Sequence, residues 1–492
     1  IWLVVGALVA ALFKFGQLSL HIFRGVIEGV ASIGKYVISG SEREGWFYGG
    51  VAASPALLGV GWIIGPNIAS YILVGGLIGW VIIAPLIVLV SGMPAGAPNP
   101  LDGFFMIWGE QIRYIGVGAM LTGGLWTIWK LRTNLASGLR EAVIGIKGGE
   151  VEAKKRTDKD LSFKWVFLAI FALVIPIFLV YIWLSENFAV SGFMAVFAVL
   201  FAFIASAIAG YMAGLLGSSN NPISGVTVSV LLVTSLILFA FGLGPEGMIV
   251  AILIAAVICC AAAISGDVLQ SMACGQMIGA TPRNQQIVEM IGVIAAAPIL
   301  AFVIQMLDQA FVIGSKQLVA PQAFLMAGIV KGILGGEMLW PYVLAGVVLA
   351  FVLILIDLPV LPVAIGIYLP LTLSVPIFGG GVLRYFTNRA ITKKYGTAEE
   401  KKVSDWELAV KKTGIKPQEK SIRTGLLLTA GLIAGEALMG VIIAVLIVLG
   451  INLALFPIGQ EPWWPSLLIW IFIAILIVYI PLREILGKNE NS

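Results

Sequence analysis

Apolar runs of about 20 residues recur along almost the whole chain, separated by short polar, glycine-rich or proline-containing breaks. Wound as a helix that rises 1.5 Å per residue, a run of that length crosses a hydrocarbon core of roughly 30 Å. The runs cover about residues 2–20, 50–66, 68–91, 104–129, 165–184, 188–212, 226–243, 247–265, 286–307, 341–357, 360–383, 424–450 and 465–482. They are continuous rather than alternating, which excludes the strand pattern of an outer-membrane barrel. The pattern predicts an all-α, polytopic integral membrane protein with about thirteen transmembrane or re-entrant helices. A shorter stretch at 318–334 is interrupted by Pro321, Gly328 and Lys331.

Composition strengthens this picture. Of 492 residues, 60% are hydrophobic and 11% charged, against roughly a quarter charged in a soluble domain. The net charge of +4 is too small to suggest a nucleic-acid partner, but its distribution is informative. Residues 130–164 hold nine Lys/Arg against five Asp/Glu, and residues 384–423 hold eleven against five. The excess of basic residues predicts that both stretches are cytoplasmic loops, and Arg483 and Lys488 put the C-terminus on the same side. Seven confident spans separate the two loops, whereas two ends on one side need an even number. One segment is therefore re-entrant, or 318–334 helps to complete a crossing. Neither loop is long enough to bury a core of its own, so residues 1–492 read as a single transmembrane transporter domain. The chain opens at Ile1 inside an apolar run, which predicts that further helices precede it.

The chemistry of the chain narrows the function classes. His21 is the single histidine, and Cys259, Cys260 and Cys274 lack metal-like spacing, so no metal or cofactor is expected. No Gly-x-x-x-x-Gly-Lys-[Ser/Thr] loop occurs, which excludes an ATPase domain within the chain. A membrane-embedded enzyme would need a His-Glu-x-x-His, a paired-aspartate or a Gly-x-Gly-Asp motif, and none is present. A channel or a membrane-embedded enzyme stays as the alternative to a carrier.

Four places break the hydrophobic helices with Gly, Pro or polar residues: 54–67, 214–225, 265–286 and 366–381. Irregular backbone at membrane depth survives only where protein shields it or where it lines a wet cavity. In repeat-built carriers such breaks hold the substrate. The first and fourth share a faint pattern, Gly-x-Gly-Trp…Pro…Gly-Gly against Gly-x-Tyr…Pro…Gly-Gly-Gly. The bland alternative for any one break is an ordinary interhelical turn. Asn220, Asn221 and Ser224 of the second break, Gln270 of the third and Tyr368 of the fourth are the expected substrate-binding residues. Between residues 165 and 383 only ten Asp, Glu, Lys or Arg occur, and a charge at that depth is costly unless paired or hydrated. Asp267 and Arg283 bracket the third break. Glu110 and Arg113 lie three apart on one helix face, where they could pair. These four are the expected coupling or ion-pair residues.

Several of these strings resemble the oligopeptide transporter family, which includes the yellow-stripe metal-chelate carriers. They are Asn221-Pro222-Ile223-Ser224-Gly225, Ser265-Gly266-Asp267 followed by residues 279–286, and Tyr368-Leu369-Pro370 through Gly381. Residues 112–120 and 54–66 also look like family segments. The resemblance implies about sixteen transmembrane segments in a complete member. It also implies proton-coupled import of small peptides or metal–chelator complexes across the plasma membrane, with the possibility of a homo-oligomer. Gly279-Ala280-Thr281-Pro282-Arg283 stands where the eukaryotic peptide-transporting branch carries Lys-Ile-Pro-Pro-Arg, so the chain is similar to the prokaryotic branch and its substrate stays open.

Overall fold

The computed structural model describes residues 1–486 apart from 39–40, 95, 148–154, 217–222, 316–317, 319, 337–338, 396–415, 452 and 458–460. It is a helical membrane protein. Among the described residues, seven helices are long and apolar enough to cross a membrane. The chain forms two compact units within the transmembrane region.

The first unit comprises Ile1–Met120, Val303–Val319 and Tyr342–Ser492. It opens with α1 (Trp2–Leu18) and a β-hairpin, β1 (Val26–Ile38) with β2 (Ser41–Ala52). The strands pair antiparallel from Val26↔Ala52 to Ile38↔Ser41, with an irregularity between Ser32 and Gly34. The hydrophobic pattern did not announce this hairpin, because its residues are too mixed to read as a span. Then come α2 (Pro55–Leu77), a π-helical turn at Ile78–Ile83 and α3 (Ala84–Ser91), which together form one apolar element. The runs 50–66 and 68–91 are thus the two halves of a kinked element, not two separate crossings. After α4 (Pro100–Ile107), a second π-helical turn at Trp108–Ile112 leads into α5 (Arg113–Lys147), whose residues after Met120 belong to the second unit.

In the second unit α5 is followed by α6 (Phe163–Ser185), α7 (Phe188–Leu216), α8 (Ile223–Ala240) and α9 (Gly247–Met277). Most of α10 (Pro282–Phe311) and the short α11 (Pro321–Val330) complete it, and a π-helical turn at Lys331–Gly335 extends α11. This α11 segment is the interrupted stretch 318–334 of the sequence. The chain returns to the first unit through α12 (Trp340–Leu355), α13 (Val360–Tyr368), α14 (Leu371–Tyr395), α15 (Lys416–Val448) and α16 (Trp464–Leu486).

Two expectations change. The basic stretches are not loops throughout: α5 runs on to Lys147, α14 to Tyr395, and α15 begins at Lys416. Residues 265–270 do not break a helix, since α9 continues unbroken through them. Small residues such as Gly266 fit a helix packed among its neighbours, and only the turn at 278–281, with Gly279 at φ +72°, interrupts the chain there.

A core of Ala10, Phe13, Phe23, Leu58, Trp62, Leu428, Leu432 and Ile473 joins α1, α2, α15 and α16 of the first unit. Beside it, α2 and α14 approach closely enough to touch backbone to backbone. A Cβ at Gly61 would meet the Ile377 carbonyl, and one at Gly380 would meet the Leu58 carbonyl. The same reciprocity joins α2 to α13: a Cβ at Gly75 would meet the Val363 carbonyl, and one at Gly366 the Ile72 carbonyl.

Candidate substrate site at two broken helices

Two helices of the first unit are broken, each by a proline. In α2 the chain leaves helical geometry at Gly65 (φ +81°, ψ +173°), just before Pro66. The positive φ suits glycine, and Pro66 cannot donate to the preceding turn. Between α13 and α14, Leu369 is extended (φ −73°, ψ +149°) before Pro370, as a residue before proline prefers. Each break leaves a short half-helix whose last carbonyls lack intrahelical partners.

Side chains from elsewhere cap both ends. Trp80 Nε1 donates to the Leu369 carbonyl at 3.0 Å, and Trp108 Nε1 to the Tyr368 carbonyl at 2.8 Å. Both tryptophans sit in π-helical turns, a local widening that often marks functional sites. At the other break, Arg384 Nη1 donates to the carbonyls of Trp62 (3.0 Å) and Ile63 (2.9 Å).

The two breaks are related. Pro66 and Pro370 are 304 positions apart, and so are Pro55 and Pro359, Ser70 and Ser374, Gly75 and Gly379, and Gly76 and Gly380. In that register Trp80 corresponds to Arg384, and each caps the short half of the other copy. As numbering rises along α2 it falls along its partners: Leu58 lies by Gly380 and Gly61 by Ile377 on α14, and Ile72 lies by Gly366 and Gly75 by Val363 on α13. An approximate two-fold axis perpendicular to these antiparallel helices therefore relates the copies, as in inverted-repeat carriers.

Around the α13 end the side chains are dense and aromatic. Arg113 donates from Nη2 to the Tyr368 hydroxyl at 2.8 Å. Its guanidinium lies 4.3 Å from the Trp108 ring centroid and 5.2 Å from that of Tyr368, within cation–π range. Trp80 packs against Tyr48 of β2 at 4.6 Å and Phe105 at 5.4 Å. Tyr48 in turn donates to Glu28 at 2.7 Å. Burial, reinforced by the Glu28 carboxylate, pushes the Tyr48 phenol well above its ordinary value and keeps it a proton donor.

The N-terminal end of α2 is held as well. The Glu436 carboxylate, buried on α15, accepts from Ser54 Oγ (2.9 Å), from the Ala56 N–H (2.8 Å) and from Lys14 Nζ (3.3 Å). The half-helix 55–64 thus carries an anion at its N-terminus and a guanidinium at its C-terminus, both matched to its dipole.

Of the residues singled out by sequence, Tyr368 is fully buried at the centre of this arrangement, with Arg113 bonded to it. Glu110 is exposed, and no ion pair joins it to Arg113 among the described residues. The π-helical turn between them changes the spacing that an α-helix would give. Asp267, Gln270 and Arg283 are exposed in the second unit, and among the described residues no ion pair joins Asp267 to Arg283. The Arg283 backbone N–H instead donates to the Lys159 carbonyl, and Arg156 donates to Gly279, so the basic stretch is tied to the α9–α10 turn. Asn220 and Asn221 lie outside the described residues, and of Ser224 only its place in α8 is described.

A family model described as "OPT oligopeptide transporter protein" matches residues 47–447, a range that encloses both broken helices. The chain belongs to the oligopeptide transporter family. It is also similar to a Haemophilus influenzae protein described as a "putative oligopeptide transporter", with 33% identity over 441 residues covering 80% of this chain. The chain spans 66% of that relative's length, just under two thirds. The oligopeptide transporter family is one of carriers and not of enzymes.

Within this oligopeptide-transporter chain, sequence reasoning missed Trp80, Trp108 and Arg384 as parts of the site. The 304-residue register would have pointed to the first and third, but its matching positions are too sparse to align without the contacts. The same unit also holds a cavity of about 1010 Å³, where His21, Arg24 and Glu461 face Phe311, Ile443 and Trp463. His21 Nδ1 lies 3.2 Å from Glu461.

Proposed function

We propose that this chain is the core of a secondary active transporter that imports small peptides, or peptide-like and metal-chelate substrates, across the plasma membrane. One observation above all supports this reading: two proline-broken helices cross as an inverted pair, with buried polar and aromatic side chains at both breaks. Such breaks leave backbone dipoles at membrane depth, and half-helices capped by side chains from other helices can exchange caps as a carrier alternates. The basic stretches 130–164 and 384–423 and the C-terminus face the cytoplasm in this proposal, since Lys and Arg are retained on that side. Arg113 and Tyr368 line the substrate path in this proposal, and Asn220, Asn221 and Ser224 are kept as further candidates for binding substrate.

Coupling to protons falls to Asp267. It lies on the exposed face of α9, shared with Gln270 three residues on, about 15 Å from the end of the helix at Met277. A carboxylate at that depth must face water or a partner rather than lipid. Uptake of labelled di- to hexapeptides and of iron chelates by proteoliposomes of the full-length protein tests the proposal. Saturable accumulation that needs an inward proton gradient is the expected result. Single-channel currents, or no uptake of any of these solutes, would overturn it.

A further inference from the structure

Arg384 does more than a cap requires. Its counterpart in the other copy, Trp80, caps the α13 end with one neutral N–H and keeps no donor in reserve. Arg384 caps the Trp62 and Ile63 carbonyls through Nη1 alone. Its Nε is buried and has no hydrogen-bond partner, and no Asp or Glu lies within ion-pair distance among the described residues. One helical turn on, Asn388 is 3% exposed, and neither its Oδ1 nor its Nδ2 has a partner. A further turn on, Thr392 is 4% exposed with its Oγ1 unpartnered. Residues spaced by four share one face of a helix, so α14 carries a stripe of buried polar groups that begins with a guanidinium. Arg389, Lys393 and Lys394 add positive charge along the same helix.

Buried polar groups without partners are rare, and a buried charge without a counter-ion is rarer still. A neutral indole does the capping in the symmetry-related place. The extra charge and the extra donors therefore answer to something other than the fold. An anion fits them: a carboxylate accepts from Arg384 Nε on one oxygen, in a charge-assisted hydrogen bond, and from the Asn388 amide on the other.

We propose that Arg384 and Asn388 form a receptor for the carboxylate of the transported substrate, one that selects peptides with a free C-terminus. This rests on the transport reading above. The receptor is closed here by the contact of α2 with α14 and opens when the α2 half-helix moves in the transport cycle.

The test replaces Asn388 rather than Arg384, whose loss would also uncap α2. Asn388→Asp places an internal carboxylate beside the guanidinium, and Asn388→Leu removes the amide without adding charge. In proteoliposomes of the full-length protein, uptake of a labelled tripeptide is compared with that of its C-terminal amide. The wild type should prefer the free acid by about tenfold, the effect of one charge-assisted pair. Asn388→Asp should abolish that preference while still carrying the amide, and Asn388→Leu should reduce it at least threefold. Equal uptake of acid and amide by the wild type, or an unchanged preference in Asn388→Asp, overturns the receptor. If Asn388→Asp carries neither peptide, Asn388→Leu decides, and full preference in that variant overturns it. Wild-type protein that takes up neither peptide would instead overturn the transport reading, and the receptor with it.

Discussion

At the scale of single residues, the described structure concentrates its polar investment on helix ends. Glu436 satisfies a serine hydroxyl, a backbone N–H and a lysine at once. Glu436→Leu should cost about 3–5 kcal/mol, because it strands Lys14 and two donors. Glu436→Gln keeps an acceptor and should cost markedly less. Thermal unfolding in detergent separates the two, and equal costs would mean that the carboxylate holds nothing. Trp80→Phe keeps the ring but leaves the Leu369 carbonyl without its donor, at an expected cost of about 1–3 kcal/mol. Asp267→Asn addresses function instead. Gradient-driven accumulation should vanish while downhill exchange stays measurable, and unchanged accumulation would remove Asp267 from the coupling mechanism.

At the scale of elements, the site depends on helices whose backbones touch. Gly380 on α14 faces the Leu58 carbonyl directly, whereas Gly440 on α15 has nothing within 4 Å of where its Cβ would stand. Gly380→Ala should therefore destabilise the protein by about 1–3 kcal/mol, as overpacking does. Gly440→Ala should stabilise it slightly, by about 0.5–1 kcal/mol, through helix propensity. Equal melting temperatures for the two variants would show that the α2–α14 contact is looser than the geometry implies. The breaks at 54–67 and 366–381 were legible from Pro and Gly alone, because those residues act on the backbone wherever they stand. The break inferred at 265–270 was not real. Ser, Gly and Asp in a row suggest a turn by propensity, but packing keeps α9 helical through them.

At the scale of the whole molecule, the distribution of charge sets orientation in the bilayer. The reading of the basic stretches predicts that single cysteines at Lys155 and Lys393, in a cysteine-free background, resist impermeant thiol reagents in intact cells. Both should react once the membrane is made permeable. Labelling of only one of them from outside would refute a common cytoplasmic side.

The sequence by itself determined that this is a helical membrane protein of many spans. The driving term is bulk hydrophobicity summed over runs of fixed length, and it needs no knowledge of neighbours. It likewise marked where helices must break, since proline lacks an N–H and glycine alone tolerates Gly65's backbone angles. Only the tertiary structure decided which groups meet at those breaks. Tyr368 was marked by its motif, yet its partners Trp108 and Arg113 come from more than 250 residues away. Arg384 reads as one basic residue among eleven until its hydrogen bonds show it capping another helix. A hydrogen bond is settled within about 3 Å in space, and distance along the chain says nothing about that.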